Sequence, residues 1–318
     1  MSAIILRPGL LKAGGIGLAL VLMTAFLYAT GLGAASVGEW IAGAQGAESG
    51  TARFLAAALI AGVLVLNGIA LVQLPRGQQV ALIWLELGAL VLFFFYSFDL
   101  SFEFIARKIG FLVTQGVTTT LLISAASIAI ASVLAMVGAL AKLSGSGIAY
   151  GLASFYTSLF RGLPLLMQIY IIYLGLPQLG YVVGPVTAGI AALSLCYGAY
   201  MTEIFRAGIE SIPRGQTEAA TALGLPPSRT MWLVVMPQAM RLIIPPTGNQ
   251  FIAMLKDSSL VSVVGVWELM YLARTQGQTE FRHIEMLITA SLIYWVLSMG
   301  LEYVQSRLER RFARSLRR

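Results

Sequence analysis

ESIPRGQTEAATALGLPPSRTMWLVVMP, residues 210–237, is a polar, alanine-rich stretch set between two long apolar regions. Residues 214–224, RGQTEAATALG, carry strong helix formers. Pro213 stands just ahead of them, and Gly224 with Pro226 and Pro227 supplies a stop. Glu218, Ala222 and Leu225 share roughly one face, while Ala219 and Ala220 are small enough for a partner to come close. Lipid requires no such helix. From the residues alone it is either a connector that turns the chain or a surface that another protein grips.

The surroundings decide what kind of chain is interrupted here. Of 318 residues, 58% are hydrophobic and 11% charged, against about a quarter charged in an ordinary soluble domain. With a mean hydropathy of +0.83, the chain reads as an all-α polytopic membrane protein. Apolar segments near 10–32, 52–74, 79–98, 111–140, 148–175, 184–206, 238–260 and 284–304 predict about eight transmembrane helices. Arg7 and Lys12 precede LALVLMTAFLYATGLG, which outruns a short signal core and is expected to stay as a first span.

Charge placement predicts orientation. From Arg307 to Arg318 there are six arginines and one glutamate, a tail suited to the cytoplasmic side. EWIAGAQGAESG, residues 39–50, holds two glutamates and no basic residue, which suits an outer loop. Both termini are therefore expected in the cytoplasm, with Lys142 and residues 207–237 on the same side. Arg107 and Lys108 fit their outer loop less well, although Asp99 and Glu103 offset them.

The character of the spans changes near residue 107. This predicts an N-terminal extension over 1–106, a core over 107–306 and a basic tail over 307–318. Within the core, TTTLLISAASIAIAS (118–132) sets small residues at helical spacing, a surface for close helix contact in lipid. RGLPLL (161–166) interrupts one span, because Pro164 removes a backbone donor. In PPTGNQFIAMLKDSSLVSVVG (245–265), Pro245 and Pro246 are expected to break the helix. Lys256, Asp257, Ser258 and Ser259 then follow at membrane depth, where irregular backbone and charge are tolerated only against protein or water.

Several chemistries drop out. The single Cys196 excludes an intramolecular disulfide, and the single His283 excludes a histidine-rich metal site. No G-x-x-x-x-G-K-[ST] cradle is present, so if nucleotide powers this protein another chain must bind it. The basic residues carry no interleaved aromatics, which argues against nucleic acid.

Glu218-Ala219-Ala220, Gly224, then Val234 and Met236-Pro237 resemble the E-A-A…G…I-x-L-P coupling signature of bacterial ABC-importer permeases, with Val234 and Met236 as departures from its Ile and Leu. FRGLPLLMQIYIIYLGLP (160–177), EIFRAGIESIPRGQTEAATALG (203–224) and MPQAMRLIIPPTGNQFIAMLKDSSLVSV (236–263) are similar to the branch that carries polar amino acids. The likeness spans about residues 110–304.

It implies a type I importer core of five spans, preceded here by three N-terminal spans, in a bacterial cytoplasmic (inner) membrane. It also implies a second permease subunit (a paralogue, or a second copy as a homodimer), two ATPase subunits that bind ATP and Mg, and an external amino-acid-binding protein. This chain would bind no cofactor or metal and hold no catalytic residue. Arg214, Gly215, Glu218, Ala219, Ala220 and Gly224 would form the coupling helix that each ATPase receives.

A zwitterionic substrate wants a cation for its carboxylate and an acceptor for its ammonium. Arg161, Glu203, Arg206, Lys256 and Asp257 supply such charges, Asn249, Gln250 and Ser258 are neutral polar neighbours, and Gln168 and Tyr173 are weaker lining candidates. Glu203 and Arg206, three apart on a helix, can also simply satisfy each other. Two other readings stay open. An ion-coupled secondary transporter suits broken helices and intramembrane charges, but leaves 214–224 unexplained. A non-transporting scaffold needs no polar path.

Overall fold

The computed structural model describes residues 13–30, 50–96 and 100–313, and all their regular elements are helical. The chain divides into two compact units, Met1–Phe98 and Asp99–Arg318. The acidic stretch 39–49 and the last five residues of the arginine tail lie outside the described residues.

In the first unit, α1 (Ala13–Thr30) packs on α2 (Gly50–Val72) through Leu27, Ala57 and Ala61. The buried residues of α2 are Ala52, Ala56, Ala57 and Ala61, about a turn apart. Small side chains at that spacing let two backbones approach, which is how helices associate where lipid removes the hydrophobic drive. α3 (Arg76–Tyr96) is tied to α2 by Asn67 Nδ2, which donates to Glu86 Oε2 at 3.0 Å.

The second unit opens with a 42-residue helix, α4 (Phe102–Leu143), capped by the Ser101 hydroxyl. α5 (Gly147–Gly162), α6 (Leu165–Gln178) and α7 (Pro185–Glu210) follow. The core runs along α4 and α7, where Ala131, Ala135 and Ala139 meet Ala192, Leu193, Tyr197 and Met201. Gly138 lets the two helices pack closely: a Cβ there would sit 2.6 Å from Thr202 Oγ1. Beyond α7 come α8 (Arg214–Ala222), α9 (Met236–Asp257), α10 (Leu269–Thr279) and α11 (His283–Ala313).

The α5–α6 break is sharp, a bend of 106°. Leu163 and Pro164 are extended there (ψ 138° and 134°). Extended backbone frees carbonyls that a helix would have satisfied. Gln168 recovers two of them, its Nε2 donating to Phe160 O and Leu163 O at 2.9 Å each. A backbone break inside a membrane persists only when such groups are satisfied again.

Two expectations need correction. Among the described residues five helices are long and apolar enough to cross a membrane, and six if the bent α5–α6 pair counts as one span. The expected eight spans, five core and three N-terminal, are therefore overturned. The apolar part of α1, Leu18–Thr30, is too short. α9 fails on composition, since Arg241, Asn249, Gln250 and Lys256 sit among its apolar residues. An apolar window read along the chain could not tell a lipid-facing helix from one whose polar side faces protein.

The second correction concerns Pro245 and Pro246, which lie inside α9 without ending it. Gln305 of α11 donates to the Pro245 carbonyl at 3.2 Å and helps hold this stretch. The chain changes course later, through a tight turn of helix at Ser258–Val264 that ends on Gly265 in the left-handed region (φ 83°).

Candidate functional site

Two parts of the second unit concentrate polar chemistry. One is α8. Pro213 enters it with φ −56°, close to the value its ring imposes. At the other end Gly224 takes φ 79°, and Leu225 N returns to Ala220 O at 3.0 Å, closing the helix as glycine stops do. Arg214, Gly215, Glu218, Ala219 and Gly224 are exposed. Ala220 is 3% exposed and packs inward, so the small face available to a partner is Ala219 rather than both alanines. Leu223 is 83% exposed. Gln238 Nε2 donates to Gln216 Oε1 at 3.1 Å, tying α8 to the start of α9. At this start Gly208 of α7 lies directly against Ile243 of α9. α8 is thus a stiff, polar protrusion whose two ends lead into packed helices. Packed interiors pass on displacements because they do not deform continuously.

The second part is a cavity of about 450 Å³ lined by Arg161, Pro164, Tyr197, Tyr200, Gln250 and Asp257, among others. It exists because the α5–α6 bend holds Arg161 and Pro164 open against α7. Tyr197 Oη donates to Asp257 Oδ2 at 2.8 Å, and the Arg161 guanidinium lies over the Tyr200 ring, 5.3 Å from its centre.

Arg161 also borders an ion cluster. Lys142 Nζ donates to Glu203 Oε1 at 2.5 Å, and Arg206 Nε to Glu203 Oε2 at 3.0 Å. Arg206 Nη1 also reaches Glu210 at 2.7 Å, and Arg161 stands 4.0 Å from Glu203 Oε1. The cluster binds α4, α5 and α7 into one block, and Lys142, with a side chain only 10% exposed, is neutralised inside it.

The predicted residues therefore separate. Arg161, Gln250 and Asp257 share the main cavity. Asn249 and Lys256 line a second cavity of about 260 Å³ with Glu302, Gln305 and Glu309. Adjacent Lys256 and Asp257 face different cavities, and no ion pair joins them. Glu203 and Arg206 belong to the cluster. Gln168 is spent on the bend, Ser258 is buried and donates to Leu255 O at 2.7 Å, and Tyr173 packs at the edge of the core.

Sequence reasoning missed Tyr197, Tyr200 and Cys196 as cavity walls, and Lys142 as the partner of Glu203. A signal for the tyrosines was present: Tyr197, Tyr200 and Glu203 recur every three residues along an apolar helix and so mark one polar face. Lys142 and Glu203 are 61 residues apart, and no local pattern joins them. Among the described residues no group of three or more His, Cys, Asp or Glu could hold a metal ion.

Comparison with known proteins agrees with this architecture. Residues 127–314 match the family described as "Binding-protein-dependent transport system inner membrane component". The arginine transport system permease protein ArtQ of Bacillus subtilis (strain 168) is 40% identical over 214 residues, 67% of this chain and 97% of that protein. The L-cystine transport system permease protein TcyB of the same organism is 37% identical over 204 residues, 64% and 87% of the two chains. Among solved structures, a chain from the crystal structure of an amino acid ABC transporter with histidines superposes with a TM-score of 0.63 at 35% identity, covering 67% of this chain and 99% of that one. An inward-facing MetNI methionine ABC transporter shares the fold, with a TM-score of 0.56 at 20% identity over 64% and 96%.

Proposed function

The chain belongs to the family of binding-protein-dependent transport system inner membrane components, and from that premise we propose that it moves polar or general L-amino acids into a bacterial cytoplasm under the drive of ATP. It is the permease component of an amino-acid ABC importer, a transport subunit rather than a catalyst. ATP and Mg belong to two partner ATPase subunits. A second permease, paralogue or copy, completes the pathway, and an external binding protein delivers the substrate.

In this reading residues 107–306 carry the transport work, with the coupling segment at 214–224, and residues 1–106 form an extension. The coupling residues are Arg214, Gly215, Glu218, Ala219, Ala220 and Gly224. Glu218, Arg214 and Ala219 meet the ATPase, Ala220 seats the helix on its own chain, and Gly224 closes it. The coupling segment and both termini lie on the cytoplasmic side, 307–318 against anionic headgroups. Arg161, Gln250 and Asp257 face the substrate. Asn249 and Lys256 line a second wall, and Glu203 with Arg206 fixes the block on which Arg161 stands. Gln168 and Ser258 support the pathway from behind.

The observation that carries this reading is α8 itself: an exposed, capped, polar helix clamped between two helices that line the cavity. A secondary transporter or a scaffold has no use for it. The test is ATP hydrolysis and uptake in liposomes containing this chain, its ATPase and its binding protein. Glu218→Arg should lower amino-acid-stimulated hydrolysis by about tenfold or more, since a reversed charge at a docking surface opposes its partner, while membrane insertion is retained. Normal transport by that variant would sink the coupling assignment.

A further inference from the structure

The charges around the main cavity do not balance locally, and the residue left over shows what the cavity lacks. Glu203 has both oxygens engaged, Oε1 by Lys142 at 2.5 Å and Oε2 by Arg206 at 3.0 Å. Arg206 continues to Glu210 at 2.7 Å. Three cations (Lys142, Arg161, Arg206) thus stand against two carboxylates, and Arg161 is the surplus: it is 4.0 Å from an oxygen already taken, with a side chain 44% exposed. It borders the cavity. On another wall Asp257 borders the same cavity, with Oδ2 accepting from Tyr197 at 2.8 Å. Lys256, the cation beside it in sequence, faces the other cavity. The main cavity therefore offers one positive and one negative group. The rest of its polar lining, Gln250, Cys196 and the two tyrosines, adds no further carboxylate, ammonium or guanidinium.

We infer that this cavity selects amino acids whose side chains carry no charge, with the α-carboxylate on Arg161, the α-ammonium on Asp257, and Gln250 facing the side chain. The inference rests on the importer reading and narrows its substrate class. Its physical basis is the third charge. A glutamate or lysine that engages Arg161 and Asp257 through its backbone ends brings a further charge into the same cavity. No second counter-ion waits there. The Tyr200 face that could attract a cation is already covered by Arg161, at 5.3 Å. An unpaired charge in a protein-lined cavity is disfavoured far more than an amide that Gln250 can pair with. A volume of about 450 Å³ is that of a small-molecule site, so room does not exclude the charged amino acids. Electrostatics does.

The test is equilibrium binding of radiolabelled glutamine, glutamate and lysine at neutral pH to the purified permease–ATPase complex. The external binding protein is left out so that its own preference does not enter. The complex should retain glutamine about tenfold better than either charged amino acid. Arg161→Gln leaves the cavity negative and should turn its order toward lysine. Asp257→Asn leaves it positive and should turn it toward glutamate. A purely structural role for either residue would weaken all three ligands together and would not move the order in opposite directions. Retention of all three alike, or of none, overturns the inference, as does an unchanged order in both variants. If the variants do not assemble, the wild-type order decides. A complex that couples a loaded binding protein to ATP hydrolysis yet binds the three equally defeats this inference alone. A chain that recruits no ATPase defeats the importer reading instead.

Discussion

α3 and α7 are both long enough and apolar enough to cross a membrane, yet α3 buries none of its apolar window within the chain and α7 buries 67% of its own. α3 is also the more apolar of the two. In water that order would be perverse. In lipid it follows from the solvent: hydrocarbon is as good a surrounding for leucine as another leucine, so large apolar side chains can stay outside. What packs inside is what lets backbones approach or what must find a polar partner. On α7 such residues are Ala188, Ala192, Ser194, Gly198, Ala199 and Thr202, buried together with the larger Leu193, Met201 and Phe205. The function follows the buried helix, because both the cavity and the ion cluster rest on α7.

The contrast can be broken most directly with glycines. Gly138→Leu drives a side chain into Thr202 where a Cβ alone would stand 2.6 Å from its hydroxyl. We expect a loss of about 3 kcal/mol or more, at the upper end of overpacking effects, or failure to assemble. Gly88→Leu on α3 meets nothing within 4 Å and should leave expression and thermal stability unchanged. Equal damage from both, measured by detergent-phase melting, would mean that α3 is packed as tightly as α7.

A polar pair from each unit sharpens the same point at smaller scale. Glu203→Gln leaves Lys142 without its counter-ion, and with that side chain 10% exposed the destabilisation should be roughly 2 kcal/mol, below the full value of a buried pair because water still reaches part of the cluster. Glu86→Gln keeps an oxygen for Asn67, whose bond to it is 3.0 Å, and should cost well under about 1 kcal/mol. A double-mutant cycle with Lys142→Met would confirm that the larger figure belongs to the pair. A coupling near zero would demote the cluster to surface charge.

What was legible in the sequence follows from the same physics. The α8 segment could be read because a polar alanine-rich helix with proline ahead of it and glycine behind it is locally determined. The α5–α6 break was legible through Pro164 for the same reason, although the role of Gln168 in holding it was not. The span count failed at α9, where an apolar average along the chain passed over Arg241, Asn249, Gln250 and Lys256. The cavity was half legible. Arg161, Gln250 and Asp257 were picked by chemistry, but their separation from Lys256 and the pairing of Lys142 with Glu203 are tertiary facts that no window contains.

The smallest effect asks whether burial or hydrogen bonding prevails for a carboxyl outside the spanning helices. Glu268 is fully buried. It accepts from Tyr271 N at 2.7 Å, from Met270 N at 2.8 Å and from the Tyr294 hydroxyl at 2.7 Å. Three donors favour the carboxylate. Burial opposes it and wins, pushing the group up from 4.5 to about 7. The sign follows. Between those values the folded chain keeps a proton that the unfolded chain has released, so the contribution of Glu268 to stability is greatest below pH 4.5 and falls as pH rises through 7. Because relaxation and water entry on ionisation soften the burial penalty, we expect a fall of roughly 1 kcal/mol across the window, below the ~3 kcal/mol that the full shift would imply. Melting of the assembled complex across this range should show that slope in the wild type and its loss in Glu268→Gln. A wild type that grows more stable with rising pH, relative to the variant, would mean that the three donors outweigh burial. Enclosure on this side of the second unit would then act less strongly on charge than it does around Lys142.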